Sequence, residues 1–232
     1  QFVANFQMAM NPQIIKSYAI NDLKYMHQLI YRGAKYSFFL LFTLSLPILL
    51  ETEQILRLWL KTVPEYTVIF TRLVIINVLI DCISGPLMTA AQASGKIKLY
   101  QSVVGGLLIL NLPVSYLFLK LGFQPQVTIY ISIGISIIAL TLRLLILKKL
   151  VKLKLDKFFY QVILKIMIVS FTAVVIPLLF YIFMDISIHR FIIVALAAIV
   201  SSINVIFFLG LSSDEKIYFI NGLKKIKTKI IQ

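Results

Sequence analysis

Acidic residues are scarce in this 232-residue chain: nine Asp and Glu stand beside 23 Lys and Arg. Charged residues of either sign make up 14%, against about a quarter in a soluble domain, which excludes an ordinary water-facing globular surface. There is one cysteine, Cys82, so no internal disulfide can form; inside an apolar run it reads as a small buried hydrophobe. The two histidines, His27 and His189, fall on opposite sides of the membrane topology and cannot share a metal ion. Neither a glycine-rich phosphate loop with its lysine nor a nucleophile elbow is present. No catalytic residue, metal site or cofactor is therefore expected. Apolar–polar alternation is missing as well, which argues against membrane β-strands.

Hydrophobic residues supply 60% of the chain, and the mean hydropathy is +0.94. They come in continuous runs, each near the ~20 residues a helix needs to cross the hydrocarbon core. Six spans are predicted, at 36–55, 66–92, 97–119, 124–147, 162–184 and 190–211. The fold class is all-α, a polytopic transmembrane helix bundle. The first span must absorb Glu51 and Glu53 near its end, and Pro47, Pro86, Pro113 and Pro177 fall inside four of the six. Proline removes a backbone hydrogen bond and kinks a membrane helix, so neighbours must satisfy the freed carbonyl.

A net charge of +14 would point to nucleic acid in a soluble protein. Here the basic residues sit in short segments between apolar runs, the arrangement that encodes topology, and nucleic acid is not an expected partner. Segments 1–35, 93–98, 148–161 and 212–232 together hold 16 Lys and Arg; the alternate set, 56–65, 120–123 and 185–190, holds 4. This bias places both termini in the cytoplasm, as an even number of spans requires.

Phe2–Met10 is apolar but too short to span, reads as the tail of an earlier helix, and is expected to break at Asn11-Pro12. The chain thus reads as a fragment. Asn21-Asp22 is expected to cap an interfacial helix presenting Leu23, Met26 and Ile30 on one face. Residues 1–35 form this cytoplasmic amphipathic lead, and 36–147 form four spans. A basic connector occupies 148–161, two further spans 162–211, and a basic tail 212–232. The connector and tail interleave lysines with apolar residues and would lie along an anionic leaflet, so membrane lipids are expected partners.

The second span carries Arg72, Asn77, Asp81, Gly85-Pro86 and Gln92. Ionisable groups in hydrocarbon are expensive and mark functional sites by default. At 100° per residue, Asn77, Ser84, Gly85, Met88 and Gln92 fall within about 60° of Asp81, one stripe of polar, small and flexible residues. Arg72 is about 180° away and ~13 Å along the axis, so it cannot pair with Asp81 inside the helix and can snorkel to the headgroups. Asp81 lies near the midplane. It is either a buried acid bonded to a neighbouring helix or a proton, cation or counter-charge site. Asn111, with Pro113, is placed at the same depth on an antiparallel neighbour. Gly105-Gly106 reads as a close helix contact, and Ser132, Gly134 and Ser136 as tight packing. Arg143 joins the inner basic collar. The last two spans are poor in polar residues and read as peripheral or packing-only.

A span ending Ile55-Leu56-x-Leu58-Trp59-Leu60 precedes a short loop with Pro64-Glu65-Tyr66, and the next helix closes on Gln92-x-x-Gly95-Lys96. This order resembles the polysaccharide (O-antigen type) flippases of the multidrug/oligosaccharidyl-lipid/polysaccharide exporter superfamily. The resemblance implies about fourteen helices in two six-helix lobes plus two more. Residues 1–10 would end the eighth helix, and the six spans would be the ninth to fourteenth, the C-terminal portion of a two-lobe transporter. It implies a bacterial cytoplasmic-membrane protein, not an enzyme. Such a protein moves an undecaprenyl-diphosphate-linked oligosaccharide to the outer leaflet by alternating access, beside other polysaccharide-assembly membrane proteins. Arg72 is then the candidate anion contact, and Asn77, Asp81, Gln92 and Asn111 are candidate lining or ion-coupling groups. A multidrug cation antiporter of the same superfamily is the alternative. A membrane polymerase or transferase of lipid-linked sugars would need a larger external loop than any present.

Overall fold

A computed structural model describes residues 2–60, 62–217 and 221. Every regular element among them is helical. In order these are α1 (Phe2–Ala19), α2 (Leu23–Leu50), α3 (Thr52–Trp59), α4 (Thr67–Asp81), α5 (Gly85–Ala93), α6 (Ile97–Ile109), α7 (Asn111–Lys120), α8 (Val127–Leu150), α9 (Leu155–Phe158), α10 (Leu164–Phe183) and α11 (Ile188–Val205). A 3₁₀ turn, Cys82–Ser84, joins α4 to α5. Wide turns with i→i+5 bonding join α9 to α10 at Phe159–Ile163 and extend α11 through Ile206–Gly210.

Taken with these joints, six helices are long and apolar enough to cross a membrane: Leu23–Leu50, Thr67–Ala93, Ile97–Lys120, Val127–Leu150, Leu155–Phe183 and Ile188–Gly210. The multi-pass bundle is as the apolar runs require. Its boundaries differ in four places. Asn11-Pro12 does not end α1, because Asn11 is held from outside: its Oδ1 accepts from Thr89 Oγ1 at 2.8 Å. The lead and the first span are one helix, since nothing after the Asp22 cap, whose carboxylate accepts from Tyr25 N at 3.0 Å, stops it before Leu50. Glu51 ends that helix, and the segment expected to complete the span forms α3, with Glu53 and Arg57 paired on its exposed face. The basic connector shrinks to 151–154, because α8 runs to Leu150 and the fifth span starts at Leu155. The lysines at 224, 225, 227 and 229 lie outside the described residues.

Two helices organise the packing. One is α2, which gathers α1, α5, α10 and α11; the other is α8, which gathers α4, α6 and α7. Ile14, Met26, Ile30, Phe38, Phe39 and Phe42 fill the centre of the first group, with the Phe38 and Phe42 rings stacked at 5.7 Å. The last two spans are therefore packing elements rather than peripheral ones. Val169 and Ala173 on α10 and Val194 and Ala198 on α11 are fully buried; these small residues bring the two helices together, and both pack on α2. Among the described residues Gly105-Gly106 and Gly134 make no close helix contact, since a Cβ at any of them would meet nothing within 4 Å.

Two proline-freed carbonyls are repaired by side chains from other helices. Pro86 has no N–H for the Cys82 carbonyl four residues before it, and Gln7 Nε2 donates there at 2.9 Å and to Ser37 Oγ at 2.9 Å. Space for this comes from Gly85, where any Cβ would strike the Gln7 amide, and Gly33, whose Cβ would lie 2.9 Å from Pro86 Cγ. Pro177 likewise frees the Ala173 carbonyl, and Ser201 Oγ donates to it at 2.8 Å.

Candidate functional site

The α4–α5 span holds four of the five residues expected to line a pathway. Asp81 is the last residue of α4, 14 residues after Thr67 and 12 before Ala93. At 1.5 Å per residue that is about 21 and 18 Å from the two ends, the middle of the span. Its side chain is exposed on the flank of the bundle, among the exposed apolar residues Val74, Ile76 and Val78. Asn77, one turn earlier, reaches Asp81 Oδ2 with its amide at 3.4 Å, while its Oδ1 is buried without a partner.

The helical stripe survives only in part. The 3₁₀ turn at Cys82–Ser84 tightens the helix just before Pro86 and rotates α5 relative to α4. Met88 and Gln92 remain exposed, whereas Ser84 is buried, accepting from Arg143 Nη1 at 2.7 Å, and Gly85 is pressed against Gln7. Arg143 is thus not part of a collar. It bridges α8 to the joint of the second span, with its Nε buried and unpaired. Cys82 is half-buried, its thiol donating to the Leu79 carbonyl at 3.1 Å.

Arg72 and Asn111 point away from Asp81. Arg72 Nε donates to the Leu49 carbonyl at 3.1 Å and to Thr52 Oγ1 at 3.4 Å. Leu49 is in the last turn of α2, whose carbonyls lack intrahelical donors, and a cation there also complements the helix dipole. Asn111 donates to Ser132 Oγ on α8 at 3.0 Å and accepts from Ser115 Oγ at 3.2 Å. The third span packs chiefly on α8 and the second on α2 and α8 alike, with little contact between the two, so Asn111 does not share a cavity wall with Asp81. The Gln92-x-x-Gly95-Lys96 ending is a helix stop: Gly95 takes φ +68° and its N–H bonds the Gln92 carbonyl at 3.0 Å.

Two ion pairs escaped sequence reasoning. At one end, Arg190 Nη2 meets Glu51 Oε2 at 3.1 Å, both side chains buried, with the guanidinium 4.8 Å from the Tyr181 ring. At the other, Lys35 Nζ meets Glu215 Oε2 at 2.7 Å, and Arg32 Nε lies 3.5 Å from Oε1. Burial alone would raise Glu215, but hydrogen bonds from Lys35 and the Ser212 N–H outweigh it and hold this carboxyl below its ordinary range. A signal existed for the first pair: Glu51 closes one apolar run, Arg190 opens another, and an even–odd count of spans puts them on the same face. The described residues contain no cluster of metal-ligating side chains. No family model, curated protein or solved structure matches this chain.

Proposed function

We propose that this chain is the C-terminal part of a transporter that flips a lipid-linked oligosaccharide across the bacterial cytoplasmic membrane, with the Asp81 face of the second span forming part of the pathway wall. Support comes from the resemblance carried by Ile55–Leu60 and Gln92–Lys96, from the six spans, and from the 16-to-4 charge bias that orients both ends to the cytoplasm.

One observation carries the reading: Asp81, at mid-span, points outward from the bundle rather than into it. An ionised carboxylate at the bilayer centre costs about 2.5–3.5 kcal/mol on insertion scales. Lipid cannot cover that face without this cost; a water-filled cavity between two lobes can. Asn77, with its half-satisfied amide, and the exposed Gln92 belong to the same wall. Arg72 and Asn111 hold helices together instead. The carboxylate suits coupling to a proton or cation, while the sugar diphosphate would be held by cations of the other lobe.

The test is complementation in the natural host with the full-length gene carrying Asp81→Asn. The expected result is normal membrane abundance with loss of surface polysaccharide. Unchanged export refutes the assignment. Efflux of an organic cation dye that depends on Asp81, without glycan translocation, selects the antiporter instead.

A further inference from the structure

The lysine-rich end of the bundle contains a cavity of about 290 Å³ between α2, the start of α10 and the chain after Gly210. Its polar walls include Gln28, Arg32, Gln161, Lys165 and Asp214. We propose that it is a binding site for the phosphate of an anionic phospholipid headgroup, a singly charged phosphodiester.

Depth is the first argument. The α2 helix has 28 residues and the Leu155–Phe183 span 29, so each is about 42–44 Å long against ~30 Å of hydrocarbon. The excess, roughly eight residues on each, falls on Leu23–Ile30 and Leu155–Val162 if the apolar ends at Leu50 and Phe183 bury fully. Gln28, Tyr160 and Gln161 then lie at the headgroup level, and Arg32 and Lys165 less than one turn below it, near enough to snorkel to a phosphate. Tyr160, 63% exposed beside the cavity, is the residue type that favours that zone.

Charge is the second argument. Lys35 is spent on Glu215, and together they form a neutral floor. Among the described residues Arg32 touches Glu215 through Nε at 3.5 Å, with its side chain about one-third exposed, which leaves its terminal nitrogens for a ligand. Lys165 uses one of three protons on the Leu209 carbonyl, at 2.8 Å. Two cations with spare donors therefore flank a small polar cavity. Gln28 and Gln161 add amides. Asp214, exposed on the rim, repels a dianion and can accept from a headgroup hydroxyl, which favours a phosphodiester such as phosphatidylglycerol over inorganic phosphate.

The test monitors thermal unfolding of the full chain in neutral detergent during titration with phosphatidylglycerol or inorganic phosphate. A saturable rise in Tm is expected with the lipid and none with phosphate, and Arg32→Gln combined with Lys165→Gln should abolish it. Lys148→Gln with Lys149→Gln, equal in charge lost but outside the cavity's lining, should leave it intact. An equal rise in the Arg32/Lys165 variant, or equal loss in the Lys148/Lys149 variant, overturns the site. A rise with phosphate as large as with lipid overturns the lipid as its ligand. Should the Arg32/Lys165 variant fail to fold, Asp214→Asn carries the test, because it must let inorganic phosphate raise Tm; no response there overturns the proposal.

Discussion

Replacing Arg190 by Met tests how the last hairpin is fastened to the first span. Glu51 is 1% and Arg190 8% exposed, and the pair is 139 residues apart in the chain. Their contact is single rather than bidentate, since Glu51 Oε1 and Arg190 Nε are both buried without partners. Taking away one member of a buried pair leaves the other charge stranded, at a cost of about 3–5 kcal/mol. Loss of the Tyr181 ring contact adds ~0.5–2 kcal/mol. Replacing both members with apolar residues, Glu51→Leu and Arg190→Met, removes the stranded charge and should return stability to within ~1 kcal/mol of the parent. The assay is unfolding in mixed micelles by added dodecyl sulfate, read by a thiol-reactive dye. Cys82 is the chain's sole thiol and is half-buried in the fold, so labelling reports opening. The expected pattern is two costly single variants and a mild double variant. Single variants within ~0.5 kcal/mol of the parent would refute the buried-pair account, as would a double variant whose loss equals the sum of the singles.

Gln7→Leu removes the donor for the carbonyl that Pro86 frees and should cost ~1–2 kcal/mol in the same assay; adding Pro86→Ala, which restores an N–H for Cys82, should recover most of it. Glu215 gives a pH dependence. Its carboxyl is held below the ordinary 4.5 in the fold, so the unfolded chain takes up a proton first as pH falls. The stabilisation is complete above that ordinary value and disappears as pH drops through the lower folded one. Thermal unfolding between pH 6 and pH 3 should show this acid loss, and Glu215→Gln should flatten it; equal slopes in both proteins would contradict the assignment.

The amino-acid sequence by itself determined the helical class, the number of spans and the Asp22 cap, because each depends on local properties. Continuous apolar length decides whether a segment can cross hydrocarbon, and a side-chain oxygen before a free N–H decides where a helix starts. It also located Asp81 at mid-span by counting. Tertiary structure alone decided which way each side chain faces. Helices apolar all round carry no stripe to mark an inner face, and lipid tails remove the hydrophobic difference that would create one. Hence Asp81 outward, Arg72 on the Leu49 carbonyl and Arg143 on Ser84 were beyond periodicity. Polar side chains supply the directional bonds inside such a bundle. Gln7 for Cys82, Ser201 for Ala173 and Arg190 for Glu51 became visible as partners only when helices distant in sequence came within hydrogen-bonding reach.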